Sequence, residues 1–315
     1  MIPQLPGTVV ARVTGVELGT PRRKGDPPPV AALLLSDGSR LRTDWVLFAS
    51  GSGYAAPIKA EPGEVGGAAA RRASYRAVTT RLEAAHSVVV VGGGTVGVEM
   101  AAEVAARYGP RKHVTLVASS PRLLERMPPK AGRLAAEWLQ AAGVTVVLGE
   151  RVASWGGADA AGWGQPGAWK LRTSAGRELT AGAVFNCAGG KPHTQFLAAV
   201  AGCCDARGAL VVDANLKVCA LANAYAAGDC AAHGAEANAM LADLTASVAA
   251  ANVLAEARAG KRRGGAEGAA PRLRPFPRAA CGADRVPDIA AVSLGPYNGG
   301  TRHFFNGFPC PFVMF

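Results

Sequence analysis

Apolar residues fall into short runs whose spacing alternates between a period of two and a helical period. Residues 8–18 and 30–35 are rich in β-branched or aliphatic side chains and read as strands, with an exposed Pro-rich loop at 21–29. Asp37-Gly38 predicts a tight hairpin turn, and residues 39–43 start the return. Residues 45–48 read as a buried strand ending at Ala49-Ser50-Gly51-Ser52-Gly53. A loop at 61–67 and a broken helical region at 68–85 follow. The next elements alternate: strand 87–91, helix 96–107, strand 114–117, amphipathic helix 131–142 and a third parallel strand at 144–148. Residues 155–170 form a Gly- and Trp-rich hairpin region, and a strand returns at 184–187. Short strands are expected at 210–212 and 216–218, and a last one at 223–226, just before Gly228-Asp229-Cys230. A long Ala-rich helix covers 235–258, residues 259–278 read as a linker, and 289–315 has strand character. Strands alternating with helices predict an α/β fold with a parallel sheet.

Composition narrows the class. A chain of 315 residues suggests about two domains, and 49% hydrophobic with 18% charged residues suits a globular protein. No apolar run reaches the ~18 residues of a membrane-spanning helix. Met1-Ile2-Pro3-Gln4 opens neither a secretory signal nor a myristoylation site, so the expected location is cytoplasmic or peripheral to a membrane. The net charge of +11 suits phosphorylated cofactors, nucleic acid or anionic lipid, or records an Arg-rich coding bias. No interleaving of aromatic and basic residues marks a nucleic-acid surface, and no nucleic-acid partner is expected. Seven cysteines include no Cys-x-x-Cys, and the vicinal Cys203-Cys204 pair is a poor candidate for a bridge, so reduced thiols are expected. The five histidines lack ligand spacing, and no metal is assigned.

The chemistry concentrates at Val91-Gly92-Gly93-Gly94-Thr95-Val96-Gly97. A strand precedes this glycine run and a helix follows, as a dinucleotide pyrophosphate requires. Gly92 allows the tight turn, Gly94 lets backbone approach phosphate, and Gly97 lets helix and strand pack closely. The N–H groups and positive dipole end of the helix then face the anion. An ordinary strand–helix turn is the plainer alternative. Glu99, on the first turn of that helix, suits the dipole. The second strand ends at Ala118-Ser119-Ser120-Pro121-Arg122 without the acid that usually holds a ribose 2′-hydroxyl. Ser119, Ser120 and Arg122 could instead meet a 2′-phosphate, which predicts that NADPH is accepted at least as well as NADH. Asp229, between a strand end and a long helix, either caps that helix or accepts hydrogen bonds from a ligand hydroxyl.

Three motifs occur in the order and spacing of two-dinucleotide flavoproteins: Leu47-Phe48-Ala49-Ser50-Gly51, the glycine run at 92–97, and Tyr225-Ala226-Ala227-Gly228-Asp229. With Gly97-Val98-Glu99-Met100-Ala101-Ala102-Glu103, Val114-Thr115-Leu116-Val117 and Ala291-Val292-Ser293-Leu294-Gly295-Pro296, the chain resembles the ferroptosis-suppressor or apoptosis-inducing-factor-2-like NAD(P)H:quinone oxidoreductases. These belong to the pyridine nucleotide-disulfide oxidoreductase superfamily.

The resemblance implies two Rossmann-like units, with the NAD(P) domain (85–183) inserted in a partial FAD domain (1–84 and 184–258), followed by a linker and C-terminal segment (259–315). It implies FAD and NAD(P)H as cofactors and a quinone or similar small molecule as electron acceptor, with possible peripheral membrane contact. It places Glu99 beside the nicotinamide and matches Lys191, after Ala188-Gly189-Gly190, to a basic position of this branch. It gives Ala49, Ser50, Gly51, Gly228 and Asp229 to the flavin side, Gly92, Gly93, Gly94, Thr95, Val96, Gly97, Ser119 and Arg122 to the dinucleotide, and Gly189 to cofactor binding. Relative to the family the sequence is expected to be N-terminally incomplete, without the first glycine unit that holds the flavin ADP half. Asp243 and Thr245 stand where the branch tends to carry other residues. An inactive nucleotide-binding fragment and a flavin reductase with another acceptor are the alternative readings.

Overall fold

The computed structural model describes residues 7–59, 67–156, 169–234, 237–262, 271–276 and 291–295, and the backbone of short strands at 304–305, 308–309 and 312–314. In chain order the elements are β1 (Val13–Leu18), β2 (Val30–Leu35), β3 (Arg40–Arg42), β4 (Val46–Phe48), β5 (Ser52–Gly53), α1 (Gly67–Ala84), β6 (Ser87–Val91), α2 (Thr95–Tyr108), β7 (His113–Ala118), α3 (Pro129–Ala141), β8 (Thr145–Leu148), β9 (Val152–Ser154), β10 (Trp169–Thr173), β11 (Glu178–Ala181), β12 (Ala183–Asn186), β13 (Lys191–Pro192), β14 (Ala224–Ala226), α4 (Ala239–Arg262) and β15 (Ala291–Ser293). The chain forms two compact units, Met1–Ser52 with Lys191–Pro287, and Gly53–Gly190 with Asp288–Phe315. The second unit interrupts the first along the chain, which is the inserted arrangement the sequence suggests.

The inserted unit is built on a parallel sheet of order β12-β6-β7-β8. The β6 run Ser-Val-Val-Val-Val has no polar alternation because both of its faces are covered, as parallel sheets require. Val88 and Val90 pack with Val98, Ala101 and Ala102 of α2 and Leu139 of α3. Val89 and Val91 pack with Trp169, Leu171 and Ala181 of the antiparallel sheet β11-β10-β9. β9 and β10 pair on either side of the expected hairpin region, whose residues 157–168 lie outside the described residues, and β11 adds a strand the sequence reading did not include. β12 pairs with β6 in register Val184↔Val89. The expected domain border at 183/184 therefore cuts a strand of this sheet, and the compact unit runs on to Gly190. α1 is one continuous helix, where the Ala- and Arg-rich text suggested a broken one.

The other unit holds the antiparallel sheet β1-β2-β3 and the parallel pair β14-β4. Asp37-Gly38 makes the predicted β2–β3 hairpin, with the Gly38 N–H donating to Leu35 O at 3.0 Å. Val46 and Phe48 point into a core with Val30, Leu210, Ala224 and Ala226, and Tyr225 points to the opposite face with Leu241 and Ala249 of α4. Asn223 ties the layers together: Oδ1 accepts from Val30 N (2.7 Å), and Nδ2 donates to Val30 O and Asp44 O (both 2.9 Å). The strands expected at 210–212 and 216–218 form only isolated bridges, such as Val212↔Val218 and Lys217↔Tyr225. The expected linker also carries structure. α4 extends to Arg262, and Asn252 exchanges hydrogen bonds with the Arg274 backbone while Phe276 is buried. Among the described helices, α4 from Ala239 to Ala259 is long and apolar enough to cross a membrane by length and composition. It nevertheless buries Leu241, Thr245, Ala249 and Asn252 within its own unit.

Candidate functional site: two strand-end cradles

Each unit places a set of functional residues where parallel strands end, the position at which open α/β sheets bind ligands. In the inserted unit, β6 runs into Gly92, whose φ of +117° favours glycine. A Cβ at Gly92 would meet Ala188 N and Cys187 C at 2.9 Å, so the turn lies against the end of β12. A Cβ at Gly97 would come within 1.8 Å of Gly92 O. That is the close helix–strand approach the sequence predicts. A Cβ at Gly94, by contrast, meets no described atom within 4 Å. Gly94 is the N-cap of α2 and supplies no side-chain cap bond, so the first N–H groups of the helix face outward beside Thr95 and Val96. Open space and uncapped donors together fit a phosphate group.

The loop after β7 lies on this turn. Leu124 N donates to Gly93 O at 2.8 Å, and a Cβ on Gly93 would meet Ala118 Cβ at 2.6 Å. Arg122, expected to be available for a 2′-phosphate, is committed to its own loop. Its Nη1 donates to Leu124 O (3.2 Å) and Met127 O (2.9 Å), and its Nη2 donates to Glu125 O. Ser119 is exposed, while the Ser120 hydroxyl donates to the Glu125 carboxylate. A carboxylate therefore does stand at the end of β7, delivered from five residues further along the loop. Sequence spacing hid it because the usual acid closes the strand itself.

Glu99 lies half-buried on α2, and its Oε1 accepts a hydrogen bond from Ser293 N at 3.0 Å. β15 and the residue after it dock on the inserted unit through Val292 and Leu294, both buried in the core that includes α2. A partner 194 residues away in sequence leaves no local signal, although the Ser-Leu-Gly segment itself is recognisable.

In the other unit a cavity of about 340 Å³ is lined by Ala49, Gly51, Gly228 and Asp229 and by Asn238, Ala242 and Ala246 of the α4 start. Alanines on this helix face leave the room. Ser50 is exposed beside the cavity. Asp229 sits in a short turn after β14, and its Oδ2 accepts from Ser52 Oγ at 2.7 Å. The α4 N-terminus is capped by Asn238, whose Oδ1 accepts from Leu241 N at 2.9 Å. The capping alternative for Asp229 is thereby answered: a different residue does it. Gly228 (φ +67°) donates its N–H to Thr245 Oγ1 at 2.9 Å, and Thr245 in turn donates to Leu241 O at 2.7 Å. Thr245, one of the two residues that depart from the branch pattern, thus fixes the Gly-Asp turn against α4. Lys191 is exposed at the start of this unit's second stretch, two residues before His193, whose N–H donates to Gly51 O at 2.9 Å. Gly189 is exposed in the inserted unit with φ +73°. Ser52, Asn238, Thr245, Glu125 and Ser293 are the functional neighbours that sequence reading did not assign.

Two glycine- and carboxylate-lined strand ends, one in each of two interleaved α/β units, mark a dinucleotide-binding class of protein. Residues 10–256 match the family described as pyridine nucleotide-disulphide oxidoreductase, and the chain belongs to it. FAD and NAD(P)H are the cofactors of that family. Human ferroptosis suppressor protein 1 is 32% identical over 224 residues, covering 70% of this chain and 59% of that protein. Fe-regulated protein 8 of Mycosarcoma maydis is 36% identical over 176 residues, covering 56% of this chain and 42% of the relative. The chain thus spans about three-fifths or less of the length of these relatives. In fold it is similar to the ferredoxin reductase for the CYP199A2 system from Rhodopseudomonas palustris, with a TM-score of 0.58 and 21% identity, covering 78% of this chain and 58% of that one.

Proposed function

We propose that this chain passes electrons from NAD(P)H through FAD to a quinone. The observation that carries this reading is the pair of strand-end cradles: the uncapped glycine turn at Gly92–Gly97, and the cavity lined by Gly51, Gly228 and Asp229. FAD, when bound, supplies the redox chemistry, taking a hydride from NAD(P)H and handing electrons to the acceptor. The chain's own residues bind and orient. The open N–H groups of α2 hold the pyrophosphate of NAD(P)H, and Gly94 lets it approach. Glu99, steadied by the Ser293 N–H, borders the nicotinamide. Asp229, with one oxygen held by Ser52, accepts from a ribityl hydroxyl. The positive end of α4 lies on the same cavity and favours negative charge there. Ala49, Ser50 and Gly51 give the ring a close backbone edge, and Lys191 adds a positive charge to the same unit. No side chain needs to move a proton in the hydride step.

The quinone follows from the likeness to the ferroptosis-suppressor branch. The test is NADH consumption by the purified full chain supplied with FAD, with a short-chain ubiquinone, ferricyanide or a ferredoxin as acceptor. The proposal expects FAD-dependent turnover with the quinone. Turnover with ferricyanide or ferredoxin and none with the quinone would reject the acceptor, and no turnover with any of them would reject the enzyme.

A further inference from the structure

A further cavity, within the inserted unit, has a strongly positive lining. About 720 Å³ in volume, it is lined by Glu83, His86, Arg107, Tyr108, Arg111 and Lys112. Its floor is the buried Tyr108 ring. Three cations converge on that ring: Arg107 Cζ at 5.7 Å, Arg111 Cζ at 5.6 Å and Lys112 Nζ at 4.5 Å from its centroid. Lys112 is only 8% exposed, and its ammonium donates to Ala85 O (2.5 Å) and Glu83 O (3.1 Å). Arg111 holds the last carbonyls of α2, with Nε on Tyr108 O (3.2 Å) and Nη2 on Arg107 O (3.3 Å).

A helix C-terminus favours a cation, and Arg111 meets that need. Lys112 does the same for the carbonyls at the end of α1, and with Arg107 beside them three cations face one lining carboxylate, Glu83. Burial lowers the Lys112 pKa and the charge of Arg111 lowers it further, while Glu83 opposes them. We propose that this cavity binds a small phosphate-bearing anion, at a site separate from the dinucleotide cradle. Arg107, in the last turn of α2, offers a planar donor fork that suits phosphate oxygens, and Arg111, in the short turn after the helix, adds its charge while Nε and Nη2 hold the α2 carbonyls. Lys112 contributes a fixed point charge below them. His86 and Lys112 precede β6 and β7, so the cavity lies at the amino edge of the parallel sheet, whereas dinucleotides bind at the carboxyl edge. The two sites are separated by the length of α2, roughly 20 Å at 1.5 Å per residue. The phosphate can come from a soluble ligand or from a lipid headgroup.

The test titrates inorganic pyrophosphate into the full chain by calorimetry at constant ionic strength. A second arm measures sedimentation with phosphatidylcholine vesicles with and without phosphatidic acid. The wild type is compared with the Arg107→Gln/Arg111→Gln and Arg107→Lys/Arg111→Lys variants, with thermal midpoints confirming that each folds. Loss of two charge-assisted contacts predicts binding weakened by roughly tenfold or more in the Gln pair, while the Lys pair stays within about threefold. Such a loss in the pyrophosphate arm identifies a soluble ligand, and a loss confined to the vesicle arm identifies a headgroup. Equal binding by wild type and Gln pair in both arms overturns the proposal, because any remaining affinity would then belong to the glycine turn. Arg107→Gln alone, which leaves the α2 carbonyls to Arg111, supports the site if it weakens binding and the double variant proves unstable. If it binds as the wild type does, the site is rejected.

Discussion

Replacing Gly94 with Ala separates what the fold needs from what a dinucleotide needs. No described atom lies within 4 Å of the added methyl group, and the Gly94 backbone (φ −78°, ψ −174°) is open to any L-residue. Alanine is a poorer N-cap than glycine by up to ~1 kcal/mol, but the stiffer unfolded chain returns about 0.4–1 kcal/mol. The net change in stability is therefore near zero, a shift of no more than about 2 °C in thermal midpoint for a chain of this size. The methyl group does, however, occupy the space through which a pyrophosphate would approach. Affinity for ADP-ribose, which carries the pyrophosphate but no hydride, should fall at least tenfold, or about 1.4 kcal/mol. Gly97→Ala is the contrast. Its Cβ would lie 1.8 Å from Gly92 O, so restoring an ordinary 3.4 Å contact requires a separation of about 1.6 Å (3.4 − 1.8) between α2 and the turn. Overpacking of that kind costs about 1–3 kcal/mol or more, so Gly97→Ala should lose both stability and ligand. Calorimetric titration and thermal scans of the two variants decide the matter. A Gly94→Ala protein that binds ADP-ribose as the wild type does would refute the assignment of this turn to a pyrophosphate.

Three further outcomes follow from the site geometry. Because Arg122 is engaged with loop carbonyls and Glu125 stands at the end of β7, the chain should use NADH better than NADPH, contrary to the expectation from sequence. Glu125→Ala should narrow that ratio of kcat/KM by roughly tenfold, the loss of one charge-assisted bond, and an unchanged ratio would remove Glu125 from the ribose site. Asp229→Ala should lose most bound flavin, read from the ratio of flavin to protein absorbance, while keeping its thermal midpoint without added FAD. The midpoint should instead fall in Asn238→Ala, which removes the α4 cap and costs about 1 kcal/mol. The buried Cys187 and Cys203 thiols are pushed up to about 12 by desolvation, so the folded chain keeps protons that the unfolded chain releases above pH 9. Stability present below pH 9 should therefore be lost toward pH 12, by about 1.4 kcal/mol per pH unit for each thiol. Denaturant midpoints of the Cys187→Ala/Cys203→Ala variant should show a flatter alkaline decline than the wild type, and parallel slopes would contradict this cause.

What could be read from the sequence was local. The valine run of β6, the glycines after it and the opening of α2 each carry their own periodicity and turn chemistry, so the predicted ends fall within a residue or two of the observed ones. Asp37-Gly38 specified its hairpin in the same way. The features that escaped depend on partners distant in sequence. The Glu99–Ser293 bond joins a helix start to a strand near the other end of the chain. The burial of Phe276 makes structure from text that reads as a linker. The strands expected near Leu210 and Val218 lacked continuous neighbours, and single bridges were all they could form. At the site, Gly92 and Gly97 were legible because a positive φ at one and a close backbone approach at the other demand glycine, whereas Asp229 was reached through the resemblance of its motif. Arg122 was misjudged because its guanidinium found carbonyls of its own loop, which no side-chain pattern announces.

The most direct measurement is an anaerobic titration of the FAD-loaded full chain with NADH, followed in the flavin absorption band. Electron transfer from NADH through the flavin predicts bleaching that is complete near one equivalent and reverses when quinone is added. A flavin band that stays oxidised under excess NADH, or a chain that retains no FAD at all, would contradict it.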